Sequence, residues 1–263
     1  MKIEVNNIMT HCATGGKDFD PSLPTVLFLH GSGLDHRSWA LQTRWFAFRN
    51  FSVLAPDFPG HSLSEGNAPQ SIEESGAWLI KLLDAAGVTS AHVVGHSQGF
   101  LSALELFKQA PEKVKTLTAI GTGAAIPVNP ALIETAERSA PAAAEMMLQW
   151  GFGSKMHMGT SPTPGQQPIA IGRHIMGNNP LATDLKCCAG YSGGAEVAET
   201  VNVPSLAILA GQDKMTPLKA GKALATSMKA QTHVLSDFGH MLPIEAPKQV
   251  LTHLQEFIVS NEA

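Results

Sequence analysis

The stretch His92-Val93-Val94-Gly95-His96-Ser97-Gln98-Gly99-Phe100 decides how the rest of this chain is read. It opens on a brief apolar run and leads into a helical pattern that continues to Ala110 and stops at Pro111. A Gly-x-Ser-x-Gly match alone arises by chance in roughly one chain in ten of this length, so its setting must carry the weight. Here strand, tight turn and helix follow one another without a gap. Such a turn forces the Ser97 backbone into an unfavourable conformation and holds its hydroxyl above the sheet edge. Gly95 and Gly99 are needed because side chains there would collide with the neighbouring strand and helix. The Gln98 amide falls at a helix N-terminus, where unsatisfied N–H groups favour a developing negative charge.

Outward from this point, short β-branched or Leu-rich runs recur at 25–29, 51–56, 114–120, 205–209 and 232–235, with a continuous apolar run at 25–29. Continuous runs of this kind suit strands buried on both faces. Helical patterns at 71–87, 217–229 and 246–259 alternate with them, which predicts right-handed crossovers and a doubly wound sheet. Residues 2–14 alternate loosely and read as an antiparallel two-strand start. Between 123 and 201 the rhythm breaks, with frequent Pro and Gly and helical pieces at 131–139 and 142–150. The expected organisation is therefore a core domain of residues 1–122 and 202–263, with a cap of mostly short helices at 123–201 set over the strand ends.

A serine hydroxyl is a poor nucleophile at neutral pH, so a base and a group that orients it are required. Asp213 follows the run 205–209, in Gly211-Gln212-Asp213-Lys214-Met215-Thr216-Pro217. His240 follows 232–235, in Ser236-Asp237-Phe238-Gly239-His240-Met241-Leu242-Pro243. Both are expected at the carboxyl ends of parallel strands, where open α/β sheets bind ligands. Singly, an Asp in a turn or a His beside Gly is unremarkable; the order Ser, Asp, His behind three strands makes a triad. His30-Gly31-Ser32-Gly33 ends another strand and frees the Ser32 amide to join that of Gln98 as a two-donor oxyanion hole.

These segments resemble those of the α/β-hydrolase superfamily, in its capped esterase-like branch, over nearly the whole chain. The likeness rests on the His30-Gly31 loop with Trp39 after it, Asp57-Phe58-Pro59-Gly60-His61-Ser62-Leu63-Ser64, the Ser97 turn, Asp213, and Gly239-His240 followed by Glu245 and Pro247. Ser62 stands where the family usually has Gly, and Phe100 where it often has another. The resemblance implies a mostly parallel eight-stranded sheet flanked by helices, and a serine hydrolase cleaving a small carboxylic ester through an acyl-enzyme. Ser97, Asp213 and His240 would be catalytic. Substrate contacts are expected from His30, Gly31, Phe100, Met215 and Met241. Carbon–carbon bond hydrolases, lactonases and thioesterases use the same triad, and a non-enzymatic small-molecule receptor can keep the fold. An ordinary ester asks least beyond the triad, and no clear basic pair is present for a carboxylated diketone.

Composition fits this picture. Hydrophobic residues are 44% and charged residues 15%, as in a compact soluble globule. A net charge of −4 and no run of Lys or Arg argue against a nucleic-acid partner. The first seven residues lack an apolar h-region, and no stretch reaches the roughly 18 apolar residues of a membrane span, so a cytoplasmic protein is expected. Cys12, Cys187 and Cys188 form no disulfide framework or metal spacing and read as small buried hydrophobes. Neither a cofactor fingerprint nor a metal-binding motif occurs, so none of these ligands is expected. His96 and Gln98 either line the site or pack against the sheet. Met146, Met147, Met156, Met158 and Met176 gather in the insertion as core or as an adaptable wall, with His157 and His174 beside them.

Overall fold

Eight strands form one sheet in the computed structural model, which describes residues 1–154 and 168–262. They are β1 (Lys2–Val5), β2 (Ile8–Ala13), β3 (Thr25–Leu29), β4 (Ser52–Pro56), β5 (Ala91–His96), β6 (Val114–Ile120), β7 (Ser205–Ala210) and β8 (Gln231–Leu235). Their order is β1-β2-β4-β3-β5-β6-β7-β8. β2 pairs antiparallel with both β1 and β4, and every pairing from β4 to β8 is parallel. Met156, Met158 and His157 lie outside the described residues.

Helices connect the strands: α1 (Ala40–Ala47) after a 3₁₀ turn at His36–Trp39, α2 (Ile72–Ala85) and α3 (Gln98–Gln109). Between β6 and β7 stand α4 (Pro130–Arg138), α5 (Ala140–Gly151), α6 (Pro168–Met176), α7 (Leu181–Gly190) and α8 (Gly194–Thr200). After β7 come α9 (Leu218–Ser227), α10 (Leu242–Glu245) and α11 (Pro247–Ser260).

The central strands are apolar on both faces because each face meets a helical layer. In β3, Val26 and Phe28 join Trp39, Phe46, Leu254 and Phe257 on the side of α1 and α11. Leu27 and Leu29 point the other way, into a cluster with Leu79 of α2, Leu104 of α3 and Leu224 of α9. Leu206 and Ile208 of β7 repeat the first face, Ala207 and Leu209 the second, as the two-residue strand period demands. Ser71 starts α2 by accepting the Glu74 amide at 3.1 Å, which supplies the N-cap of its apolar face.

The segment between β6 and β7 packs in two ways. Leu132, Met147, Leu148, Leu181 and Leu185 build a separate apolar cluster that takes in Leu34 and Met241 from the ends of the sheet loops. Val197 and Ala198 of α8 instead join the cluster beneath the sheet. α8 thus lies inside the expected cap range but packs with the core.

Two substitutions test these local constraints in opposite directions. A Cβ on Gly99 would lie 2.4 Å from the Leu29 carbonyl oxygen and 2.5 Å from that of His30, so backbone would have to move. Gly99→Ala should lower unfolding free energy by about 1–3 kcal/mol. Ser62 sits at φ 46°, a left-handed position, so Ser62→Gly should raise it by about 1 kcal/mol. Urea denaturation of the two variants checks both, and equal stabilities would contradict this account.

Candidate active site

Ser97 occupies the bend between β5 and α3, at φ 52° and ψ −123°. A non-glycine residue held there stores on the order of 1–3 kcal/mol of strain. The bend is pinned on both sides: the Ser97 amide donates to the Ile120 carbonyl at 3.0 Å, and Thr122 Oγ1 donates to the Ser97 carbonyl at 3.1 Å. Neighbouring β6 therefore fixes the direction in which the Ser97 hydroxyl emerges.

Asp213 and His240 meet that hydroxyl from the loops after β7 and β8. Ser97 Oγ lies 3.0 Å from His240 Nε2, and His240 Nδ1 lies 2.8 Å from Asp213 Oδ2. Asp213 Oδ1 accepts the amides of Met215 at 2.8 Å and Thr216 at 2.7 Å, which leaves Oδ2 free for the imidazole. Burial alone would push the Asp213 carboxyl up, but His240 and the two amides outweigh it and hold it below the usual carboxylate range. In this arrangement an imidazole can take a proton from the serine while its other nitrogen stays fixed by a carboxylate.

Residues 31–33 lie against the serine. An added Cβ on Gly31 would sit 3.1 Å from Ser97 Cβ, so glycine is what lets the loop approach. The Ser32 hydroxyl donates to Gln98 Oε1 at 2.8 Å, which ties together the two residues expected to offer backbone amides.

A cavity of about 160 Å³ opens over Ser97. From the sheet side Ser32, His96, Met215, Thr216, His240 and Met241 line it. From the insertion come apolar groups that include Leu132, Met147, Leu148, Trp150, Leu185 and Cys188. Three expected substrate contacts, His30, Gly31 and Phe100, are not among the residues lining this cavity. His30 is buried with Nε2 accepting the Phe58 amide at 3.2 Å, so Nδ1 donates to the Gly31 carbonyl at 3.0 Å. Phe100 is fully buried in the cluster that holds Leu29 and Leu104. Gly31 lets the loop approach His96 and Ser97 closely.

Several residues at the site carried no decisive signal in the sequence. The insertion's contribution to the wall depends on how its helices dock, which spacing does not reveal. Cys188 is buried as expected, yet its Sγ also reaches Ser32 Oγ at 3.5 Å. Glu245 accepts the amides of Gly239 at 2.9 Å and Gly153 at 2.7 Å, joining the His240 loop to the end of α5. Burial pushes its carboxyl up to about 7. Elsewhere, His11, His36 and Asp57 gather at a spacing that a metal ion could bridge. Asp57, however, already accepts His36 Nδ1 at 2.7 Å and the amides of His36 and Leu63, which makes the cluster a brace for the loops after β3 and β4.

With the geometry in place, the chain can be set beside known proteins. Residues 26–253 match the model described as the alpha/beta hydrolase family. Among curated proteins it is similar to 3-oxoadipate enol-lactonase 1 of Acinetobacter baylyi, 23% identical over 245 residues, covering 90% of this chain and 89% of that protein. It is also 34% identical over 97 residues to a dihydrolipoyllysine-residue acetyltransferase component of an acetoin cleaving system from Cupriavidus necator. That match takes in 36% of this chain and only 26% of the relative's length. Among solved structures, the enol-lactonase of Burkholderia xenovorans LB400 has a similar fold, with a TM-score of 0.87, 21% identity and coverage of 98% of this chain and 100% of that one.

His96, beside Ser97, gives a pH test. Its Nε2 donates to the His240 carbonyl at 2.9 Å, its Nδ1 has no hydrogen-bond partner among the described residues, and burial followed by the nearby His240 pushes it down to about 3. Below the ordinary value of 6.5 the unfolded chain binds a proton here that the folded chain refuses, so stability falls on acidification. His96→Gln should flatten unfolding free energy against pH by about 1.4 kcal/mol per unit between roughly pH 6 and 4. Urea titrations across that range that give parallel curves would contradict this.

Proposed function

The chain belongs to the alpha/beta hydrolase family, and from that premise we propose that it is a hydrolytic enzyme that cleaves a small, neutral carboxylic ester through a covalent serine ester. The observation that carries this reading is the run of two hydrogen bonds from Ser97 Oγ to His240 and on to Asp213, at the floor of a mostly apolar cavity.

The geometry supports the following steps. Ser97 Oγ attacks the ester carbonyl carbon as His240 Nε2 takes its proton, and Asp213 stabilises the imidazolium and keeps its orientation. The carbonyl oxygen becomes an oxyanion facing the Ser32 and Gln98 amides. Collapse breaks the bond to the alcohol, which leaves with the proton from His240. Water then attacks the acyl-serine by the same route in reverse, returning Ser97 and releasing the acid.

The wall limits the substrate. A dry apolar cavity of about 150 Å³ holds a molecule the size of benzene, so an acyl group of that order fits here. Among the described residues lining the cavity Lys214 is the one cation, and it is exposed at the rim. A carboxylated acyl group would therefore lose its hydration without a buried partner. Helices α4 to α7 are assigned the role of a lid that excludes water during the reaction. A lactone is the same bond closed into a ring, and the similarity to 3-oxoadipate enol-lactonase 1 supports carrying lactones as a second substrate form.

A series of p-nitrophenyl esters from acetate to decanoate, with hemisuccinate as the charged member and γ-butyrolactone beside it, tests the proposal. The highest kcat/KM is expected for short neutral acyl groups, with hemisuccinate well below butyrate. Ser97→Ala and Asp213→Asn should each lower kcat about 10³-fold or more while the fold is kept. Undiminished turnover by Ser97→Ala would refute the mechanism, and a preference for hemisuccinate would refute the substrate class.

A further inference from the structure

Asp184 is a buried carboxylate that the mechanism above does not use. It stands on α7, on the face that also carries Leu181, Leu185 and Cys188, and it is almost wholly shielded from water. An ionised group in such a place is costly unless it is paired and hydrogen-bonded, so its partners identify what it holds. Its Oδ2 accepts the Gly33 amide at 2.7 Å and lies 2.9 Å from His61 Nε2. Its Oδ1 lies 3.5 Å from Gln98 Nε2, the side-chain amide whose oxygen accepts the Ser32 hydroxyl at 2.8 Å.

The loop on which these bonds converge is the one expected to face the oxyanion. Residues 31–34 close a turn through the Leu34 amide and the Gly31 carbonyl at 3.0 Å. Within it, Asp184 fixes the Gly33 amide, while Asn179 Nδ2 donates to the carbonyls of Gly33 at 2.9 Å and Leu34 at 3.0 Å. Asn179 Oδ1 accepts the Ser62 amide at 2.9 Å, which ties in the loop that carries His61. Both peptide groups that follow Ser32 are thus held by Asp184 in the first turn of α7 and by Asn179 just before that helix. The Gln98 side chain connects the same carboxylate to the turn after Ser97.

We infer that Asp184, braced by His61, is a positioning residue through which insertion helix α7 sets the two oxyanion donors at Ser32 and Gln98. Burial pushes the Asp184 carboxyl up and the His61 imidazole down, but each outweighs that for the other, so the ionised pair is favoured. His61 Nδ1 donates to the Pro59 carbonyl at 3.1 Å, which aims Nε2 at the carboxylate. Displacing an amide from the oxyanion position weakens binding of the tetrahedral state while leaving the planar ester's apolar contacts intact. A merely structural anchor would affect stability and not this difference.

The inference rests on the serine-ester reading, so the experiment includes a control for it. Asp184→Asn, isosteric and able to accept the Gly33 amide, is compared with Asp184→Ala on the best ester of the series. For Asp184→Ala, kcat should fall about 10- to 100-fold with KM changed less than about threefold. Asp184→Asn should show a smaller loss of the same kind. An alkylboronic acid, which becomes tetrahedral on the serine, should weaken in proportion to kcat, whereas the product carboxylic acid should inhibit as in the parent enzyme. Parent-like kcat and boronic acid affinity in Asp184→Asn would overturn the inference, whether or not Asp184→Ala folds, as would an equal rise of KM and of the product inhibition constant. Absence of ester turnover by the parent enzyme would instead overturn the reading beneath it along with this inference, which separates the two failures.

Discussion

Ser97 is held in a backbone conformation that serine does not choose, and the site is arranged around that restraint. Its φ of 52° turns the chain from β5 into α3 within one residue. The turn closes only because Gly95 and Gly99 let backbone approach where a Cβ would overlap Phe100 on one side and the Leu29 and His30 carbonyls on the other. Strain of this size persists where surrounding structure over-determines it. Here the anchors are the Ile120 carbonyl, Thr122 and a sheet core filled on both faces. The proposed nucleophile thus draws its exposure and its rigidity from the same packing.

The groups around it form two sets with different chemistry. On one side, Asp213 and His240 come from loops whose backbone amides and carbonyls fix their direction. On the other, the proposed oxyanion loop carries no ionisable group aimed at the substrate and depends on bonds from Asn179 and Asp184 in the insertion. Glu245 makes a similar link from the His240 loop to Gly153. Both halves of the proposed machinery therefore touch the segment between β6 and β7, so that segment does more than line the cavity.

Much of this was legible in the sequence, for reasons that can be named. β3, β4 and β7 are buried on both faces and so read as largely apolar runs. Asp213 and His240 could be found because each follows its strand directly, so position along the chain stands for position in space. α1 was not visible, because it buries Gln42 and Thr43 and leaves Leu41 exposed, which erases the helical pattern. The pairing of Asp184 with His61 joins residues 123 positions apart and leaves no local spacing to detect. One signal did exist: a lone Asp on the face of α7 that otherwise carries Leu181, Leu185 and Cys188. The burial of His30 and Phe100 away from the cavity was not legible for a related reason, since adjacency in sequence to a reactive loop does not tell which side of the backbone a side chain takes.

The central claim is that one serine becomes covalently acylated. Treating the protein with a fluorophosphonate, which loses fluoride as its phosphorus bonds to an activated serine oxygen, tests this without knowledge of the substrate. Intact mass followed by peptide mapping should show a single adduct on Ser97, lost in the Asp213→Asn and His240→Ala variants at matched times. Labelling of another residue, or labelling of Ser97 that is unaffected by removing His240, would contradict the account.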